Sequence, residues 1–222
     1  MVSVSLANIT PPIRHVLCLG AHCDDLEIGC GGTVLRLIDN PNPPTFTWVV
    51  FSSDATRERE AFQSAEAFLR GARGARIETK KFADGFLPYQ GWLVKEAFED
   101  LKGTVTPDLV LTHYRHDLHQ DHRLISELTW NTFRDHLILE YEIPKYDGDL
   151  GTPNVFVPLD ESICRRKIET LLTSFPSQVG KRWFSEDLFR SILRLRGMEC
   201  NAQSNHAEAF HCRKLVLGGA TD

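Results

Sequence analysis

The feature that most constrains this chain is a repeated alternation of short, β-branched apolar runs with amphipathic stretches. Residues 15–20 (HVLCLG) form an apolar run ending in glycine, and residues 28–39 follow with Ile28, Val34, Leu35, Leu37 and Ile38. Residues 45–52 (TFTWVVFS) come next, then 58–69 with Phe62, Ala65 and Leu69 at helical spacing. The pattern continues through 77–82, 92–101, 109–113 and 122–133 as strand, helix, strand and helix. Apolar runs this short suit strands buried on both faces, whereas apolar residues three and four apart mark helices with one buried face. Their alternation predicts βαβ units, and hence an α/β, Rossmann-like fold with a mostly parallel sheet flanked by helices on both faces.

The second half is less regular. Residues 137–144 and 154–158 read as strands around a KYDGDLG loop, 162–172 and 185–195 as helices, and 214–217 as an edge strand. There is no internal repeat and no linker rich in Gly, Ser or Pro, so residues 1–222 read as one domain.

Composition removes several classes of function. The formal net charge is −5, which provides no electrostatic footprint for nucleic acid or an anionic membrane. The basic run Arg165-Arg166-Lys167 reads as one face of a solvated helix. No apolar run approaches the ~18 residues of a membrane span, and the N-terminal MVSVSLANITPPIR has no signal-peptide pattern. The triplet Asn8-Ile9-Thr10 reads as a chance glycosylation match. Six cysteines form no CxxC pair, and Cys18 and Cys30 sit where small buried residues fit, which points to a reducing, cytoplasmic compartment. The expected partner is a small molecule, and a homo-oligomer is compatible with the sequence.

Two polar clusters carry the chemistry. The first, AHCDDLEIGCGG at 21–32, directly follows the first strand. His22 and Asp25 are three apart, so they share a face in a turn or helix and can bind one divalent metal, leaving Asp24 free. The second, HYRHDLHQDH at 113–122, follows the fourth strand and holds four of the nine histidines. His119 and His122 repeat the three-residue spacing, and Asp121 can orient an imidazole. Ligands on parallel sheets bind beyond the carboxyl ends of strands, where both clusters lie. A dinucleotide-binding module is the contrasting reading. The glycines at 29, 31 and 32 do not make GxGxxG, and the preceding carboxylates repel a pyrophosphate.

These stretches resemble the LmbE-like, or PIG-L, de-N-acetylase superfamily. Its AHxDDxExGCGG signature stands here as AHCDDLEIGCGG, and its Pro-Asp, strand and DxHxDH signature as PDLVLTHYRHDLHQDH, with Gln120 where proline is usual. Weaker echoes are FADGFL at 82–87, the Arg57/Glu60 pair and AEAF at 207–210. The resemblance implies a zinc-dependent hydrolase, with Fe(II) an accepted substitute, that removes an N-acetyl group from an amino-sugar-containing small molecule. It implies His22, Asp25 and His122 as metal ligands, Asp24 as general base and then acid, His119 as oxyanion donor and Asp121 as an orienting carboxylate. Arg57 and Asp84 are candidate substrate contacts, although Arg57 pairing with Glu60 and Asp84 serving a turn are equally physical readings. Glu27 either supports the ligand loop or simply occupies the first helical turn. His113 and Asp117 are candidate lining or supporting groups, and His206 and His211 either complete the pocket from the far half or are structural. A metal-dependent amidase or phosphoesterase shares the same site chemistry.

Overall fold

Alternate residues along the first strand divide between two cores, and the division builds the molecule. The computed structural model describes residues 12–216. In β1 (His15–Gly20), Val16 and Cys18 face one hydrophobic cluster while Leu17 and Leu19 face another. β2 (Thr45–Ser52) alternates likewise, with Phe46, Trp48 and Val50 on the first side and Val49 and Phe51 on the second. A strand with apolar residues at every position is a strand covered on both faces.

Helices α1 (Asp25–Ile38), α2 (Ala55–Phe68), α5 (Glu161–Ser174) and α6 (Glu186–Glu199) cover the first face. Helices α3 (Gly91–Thr104) and α4 (Gln120–Thr132) cover the second. The remaining strands are β3 (Gly74–Phe82), β4 (Leu109–His113), β5 (Leu137–Tyr141), β6 (Val155–Pro158) and β7 (Ala207–His211). The order across the seven-stranded sheet is β3-β2-β1-β4-β5-β7-β6. Pairings from β3 to β5 are parallel, and β7 is antiparallel to both its neighbours. This is the Rossmann-like, mostly parallel sheet that the sequence predicts. Among the described residues no helix is long and apolar enough to cross a membrane.

Two expectations are corrected. The last strand is β7, not 214–217: residues 214–216 lie outside any strand, with Val216 91% exposed, and Leu217 is outside the described residues. Pattern reading passes over β7 because Glu208 interrupts its apolar run. The second correction explains that glutamate. Lys167, expected on a solvated face with Arg165 and Arg166, is only 2% exposed, and its Nζ lies 2.6 Å from Glu208 Oε1. A buried carboxylate and a buried ammonium are tolerable only as a hydrogen-bonded pair, so each hides the other from a one-dimensional reading. Asn8 and the N-terminal stretch 1–11 also lie outside the described residues.

That ion pair is built into α1. Glu208 accepts from the backbone N–H of Gly32 (2.7 Å) and Thr33 (2.6 Å), while Lys167 donates to the Ile28 carbonyl at 2.6 Å. The helix approaches so closely because it has glycines there. A Cβ on Gly32 would lie 2.4 Å from Leu159 Cδ1, and one on Gly29 would lie 2.2 Å from the Tyr141 ring. Tyr141 in turn donates its hydroxyl to the Leu19 carbonyl at 2.8 Å. The glycines of the first cluster therefore seat α1, and with it the loop at 21–25, against β5 and β7. Gly29→Ala is expected to destabilise the fold by about 1–3 kcal/mol, the usual range for overpacking, read as a lower urea midpoint; an unchanged midpoint would show that Tyr141 can move aside.

Candidate active site at the ends of the first and fourth strands

The chain runs from β1 outward to β2 and β3, then crosses back to β4 on the other side of β1. Connections that diverge on opposite faces leave a crevice beyond the strand ends. The loop after β1 leads into α1 on one face, and the loop after β4 leads into α4 on the other. Both polar clusters meet in that crevice, a cleft of 620 Å³. His22, Asp24, Asp25, Arg57, Asp84, His119 and His122 all line it. Asp121 does not; it is fully buried behind the cleft. His206 and His211 are also outside it, His206 bonded to the Ser204 carbonyl and His211 stacked on Tyr114. The far half of the chain contributes Lys145, Tyr146, Gln178, Lys181 and Trp183 instead.

Hydrogen bonds fix which nitrogen of each imidazole is bare. His22 Nε2 lies 3.1 Å from Asp121 Oδ2 and 3.1 Å from Asp84 Oδ1, so it carries a proton. Asp121 is itself held by the backbone N–H groups of Gly85 (2.7 Å) and Leu87 (3.1 Å). His122 Nδ1 lies 2.9 Å from Asp117 Oδ2 and is protonated for the same reason. The remaining nitrogens, His22 Nδ1 and His122 Nε2, face each other at 3.1 Å. Asp25 presents Oδ2 to the first and Oδ1 to the second, each at 3.4 Å.

Two acceptor nitrogens this close to each other and to a carboxylate require a proton or a cation between them. Each separation is close to about 3.3 Å, the spacing of neighbouring donors on a tetrahedral zinc with bonds near 2.0–2.1 Å, with the two nitrogens approaching different oxygens of the one carboxylate. The residues therefore fit a divalent metal. Other sets also bring donor atoms within 4.8 Å, namely His22 with His119 and His122, Asp25 with His113 and His122, and His22 with Asp84 and Asp121. Hydrogen bonds count against the last two: His113 Nε2 already accepts from Ala21 N–H at 2.9 Å, and the His22 nitrogen facing Asp84 and Asp121 is the protonated one.

The surroundings set the charge states. Asp25 is deeply buried, which raises a carboxyl, but His122, His113 and His22 outweigh burial and hold it well below the usual range. His22 is pulled down by burial and pushed further up by Asp25, Asp121 and Asp84, ending well above an ordinary imidazole, so with no cation between the groups it is a proton on Nδ1 that fills that place. His113 is driven down to about 4 by burial and His122, so it is neutral. Asp24 goes the other way from Asp25: burial raises it, the Arg57 guanidinium pulls it part of the way back, and Asp25 adds repulsion.

Arg57 makes the anticipated pair with Glu60 and also one with Asp24, which the sequence did not suggest. Its Nη2 forms an ion pair with Asp24 Oδ2 at 2.9 Å while its Nη1 donates to Glu60 Oε2 at 2.9 Å. Glu60 accepts from Ser177 N (2.8 Å) and Oγ (2.6 Å), and the guanidinium lies over the Phe175 ring at 5.0 Å. Glu27 lies outside the cleft lining, with neither oxygen hydrogen-bonded, and burial lifts it to about 8, so it is protonated at neutral pH.

His119 caps α4: its Nδ1 accepts from Asp121 N–H at 3.2 Å. That bond leaves the proton on Nε2, free to donate into the cleft, and burial beside His122 and His22 keeps the ring neutral. Long-range nitrogen–proton NMR at pH 7 is expected to show His119 as the neutral Nε2–H tautomer; an Nδ1–H or doubly protonated ring would contradict this arrangement.

Sequence reasoning underrated Asp117, which orients His122, and missed Ser177, Lys145 and Asp149 entirely. Asp117 lies five residues before His122, on the loop before α4, a spacing that no periodic pattern reports.

The family profile described as "PIG-L: GlcNAc-PI de-N-acetylase" matches residues 17–133. No curated protein matches the chain. Among solved structures, N,N'-diacetylchitobiose deacetylase from Pyrococcus horikoshii superposes with a TM-score of 0.68 at 22% identity, covering 94% of this chain and 86% of that one. The zinc-inhibited form of teicoplanin deacetylase Orf2 gives 0.69 at 12% identity, with coverage of 90% and 97%. The 4-carboxy-2-hydroxymuconate hydratase GalB from Pseudomonas putida KT2440 gives 0.70 at 14% identity, with coverage of 95% and 100%. At such identities the likeness is one of fold, and that fold carries more than one activity. The profile match is of another kind, because it spans more than half of the chain and contains both polar clusters: the chain belongs to the PIG-L (GlcNAc-PI de-N-acetylase) family.

Proposed function

We propose that this protein hydrolyses the N-acetyl group of an amino-sugar-containing small molecule, using one divalent cation, zinc or Fe(II), held by His22, Asp25 and His122. The observation that carries this reading is the convergence of His22 Nδ1 and His122 Nε2 on Asp25, with the Arg57-paired carboxyl of Asp24 and a donor at His119 on the same cleft. A two-histidine, one-carboxylate set leaves a position open for water and substrate. A cation bound there supplies Lewis acidity, lowering the pKa of a coordinated water and polarising the amide carbonyl.

The chain's own residues account for the rest. Asp24 takes the proton from the attacking water and returns it to the leaving amine, and burial tunes it toward that work by lifting it from the ordinary carboxylate range. Arg57 keeps Asp24 aimed and offsets part of the upward push of burial. His119 Nε2–H donates to the oxyanion of the tetrahedral intermediate, and its fixed tautomer means no reorganisation is needed at that moment. Asp121 and Asp117 hold the two ligand imidazoles by their far nitrogens.

A cleft of 620 Å³ lies within the usual range for a small-molecule site. Asp84 and Arg57 line it as hydroxyl partners for a sugar. Trp183 and Tyr146 offer flat apolar faces of the kind sugar rings pack on. Family membership and the deacetylase activities named for structural neighbours support the choice of an N-acetyl substrate.

The test is acetate release from N-acetylglucosamine and its glycosides by zinc- or iron-loaded protein, with Asp24→Ala alongside. The variant is expected to lose about 10²–10⁴-fold in kcat, the range for general acid–base catalysis, while keeping its metal content. Turnover that survives in Asp24→Ala would remove Asp24 from its role; firm metal binding with no acetate from any N-acetyl sugar would overturn the deacetylase reading. His119→Ala is expected to lower kcat by about 10²–10³-fold with little change in KM, measured in the same assay.

A further inference from the structure

The loop between β5 and β6, residues 142–154, carries the aromatic side chain of Tyr146 to the cleft rim, where it is 78% exposed. The loop is pinned at its base by Arg196, which donates to both Glu142 oxygens at 2.7 and 2.6 Å, and at its exit by Asn154, whose N–H donates to the Phe210 carbonyl at 3.0 Å. Between those points the Gly151 carbonyl accepts from Arg196 Nη2 at 3.3 Å, and a cluster around Lys145 ties the loop to the cleft. Lys145 Nζ donates to Asp117 Oδ2 at 2.8 Å and to Asp149 Oδ1 at 2.7 Å. Asp149 Oδ2 accepts from Leu118 N–H at 2.6 Å, and Asp117 Oδ1 accepts from His119 N–H at 2.8 Å. The oxygen of Asp117 that receives Lys145 is the same one that receives His122 Nδ1.

We infer that Lys145 is a positioning residue for His122, acting through the shared Asp117 oxygen, so that the Tyr146 loop is mechanically part of the metal site. Asp117 is almost wholly buried, and so are Asp149 and most of Lys145, with side-chain exposures of 2%, 5% and 13%. A buried carboxylate left with fewer partners relaxes toward whatever donors remain. With Lys145 in place, Asp117 has one oxygen fixed by the His119 backbone and the other fixed by an ammonium. His122 then has one direction in which to point its Nδ1–H, and its Nε2 is aimed at Asp25 and His22. Without Lys145, both the carboxylate and the 144–149 segment gain freedom, and the imidazole ring gains it with them.

This inference rests on His122 being a metal ligand, and the experiment separates the two claims. Zinc affinity is measured by competition with a chromogenic chelator for the wild type, Lys145→Met, Lys145→Arg and His122→Ala, with melting of the metal-free proteins as a check on folding. The hydrogen-bonded imidazole proton of His122 is followed by NMR. Lys145→Met is expected to weaken zinc binding about tenfold, the lower end for partners that orient metal ligands. The His122 Nδ1–H signal should exchange faster in that variant, and Lys145→Arg should recover both properties. Wild-type zinc affinity in a folded Lys145→Met, with His122→Ala losing zinc, overturns the role of Lys145 alone. Stoichiometric zinc in His122→Ala overturns the metal site as well. If Lys145→Met does not fold, Asp149→Asn carries the test by loosening Lys145 without removing it; unchanged zinc affinity there overturns the inference.

Discussion

The site depends on three carboxylates, Asp121 and Asp117 buried behind it and Asp84 on the cleft wall. Asp121 and Asp84 take the outer nitrogen of His22, and Asp117 takes the outer nitrogen of His122. Each bond decides a tautomer, and together they leave two lone pairs and the Asp25 carboxylate converging on one point. In a low-dielectric crevice that arrangement is unfavourable unless positive charge lies between the groups. The hydrogen bonding thus calls for positive charge between these groups, a proton or a cation, and the same bonds fix the direction in which each imidazole points.

The scaffold supports this in a specific way. The Gly29 notch receives Tyr141, whose hydroxyl reaches back to the Leu19 carbonyl, so α1, β1 and β5 are held together within one residue of the ligand loop. The Lys167–Glu208 pair ties the middle of α1 to α5 and β7. Two carboxyls of the same short segment then part company. Asp25 sits among imidazoles and is kept ionised, while Asp24 sits beside a single guanidinium in a buried position and is lifted.

Much of this was legible in the sequence because its signals are local. β1, β2 and β4 occupy the stretches that the apolar runs indicate, and the three-residue spacings of His22 to Asp25 and His119 to His122 bring those pairs to one cleft. Helix starts were read late: α1 begins at Asp25 and α2 at Ala55, each three residues before its apolar pattern, because first turns are polar. The Asp54 side chain, which accepts from Thr56 and Arg57 N–H at 2.8 Å, marks the second of these starts. What stayed hidden was long-range and charged. Lys167 with Glu208 and Lys145 with Asp117 are pairs with little side-chain exposure whose members look like surface residues one at a time. Only the fold brings them together, and only then is their burial explicable.

The central claim is that one cation belongs between His22 Nδ1, Asp25 and His122 Nε2. An anomalous difference map at the zinc edge, from crystals grown with zinc, tests it most directly. The account predicts a peak within bonding distance, about 2.0–2.2 Å, of those three groups, with Asp24 and His119 beside it and not bound. A peak held instead by Asp25, His113 and His122, or by His22, Asp84 and Asp121, would contradict the hydrogen-bond argument on which the account stands.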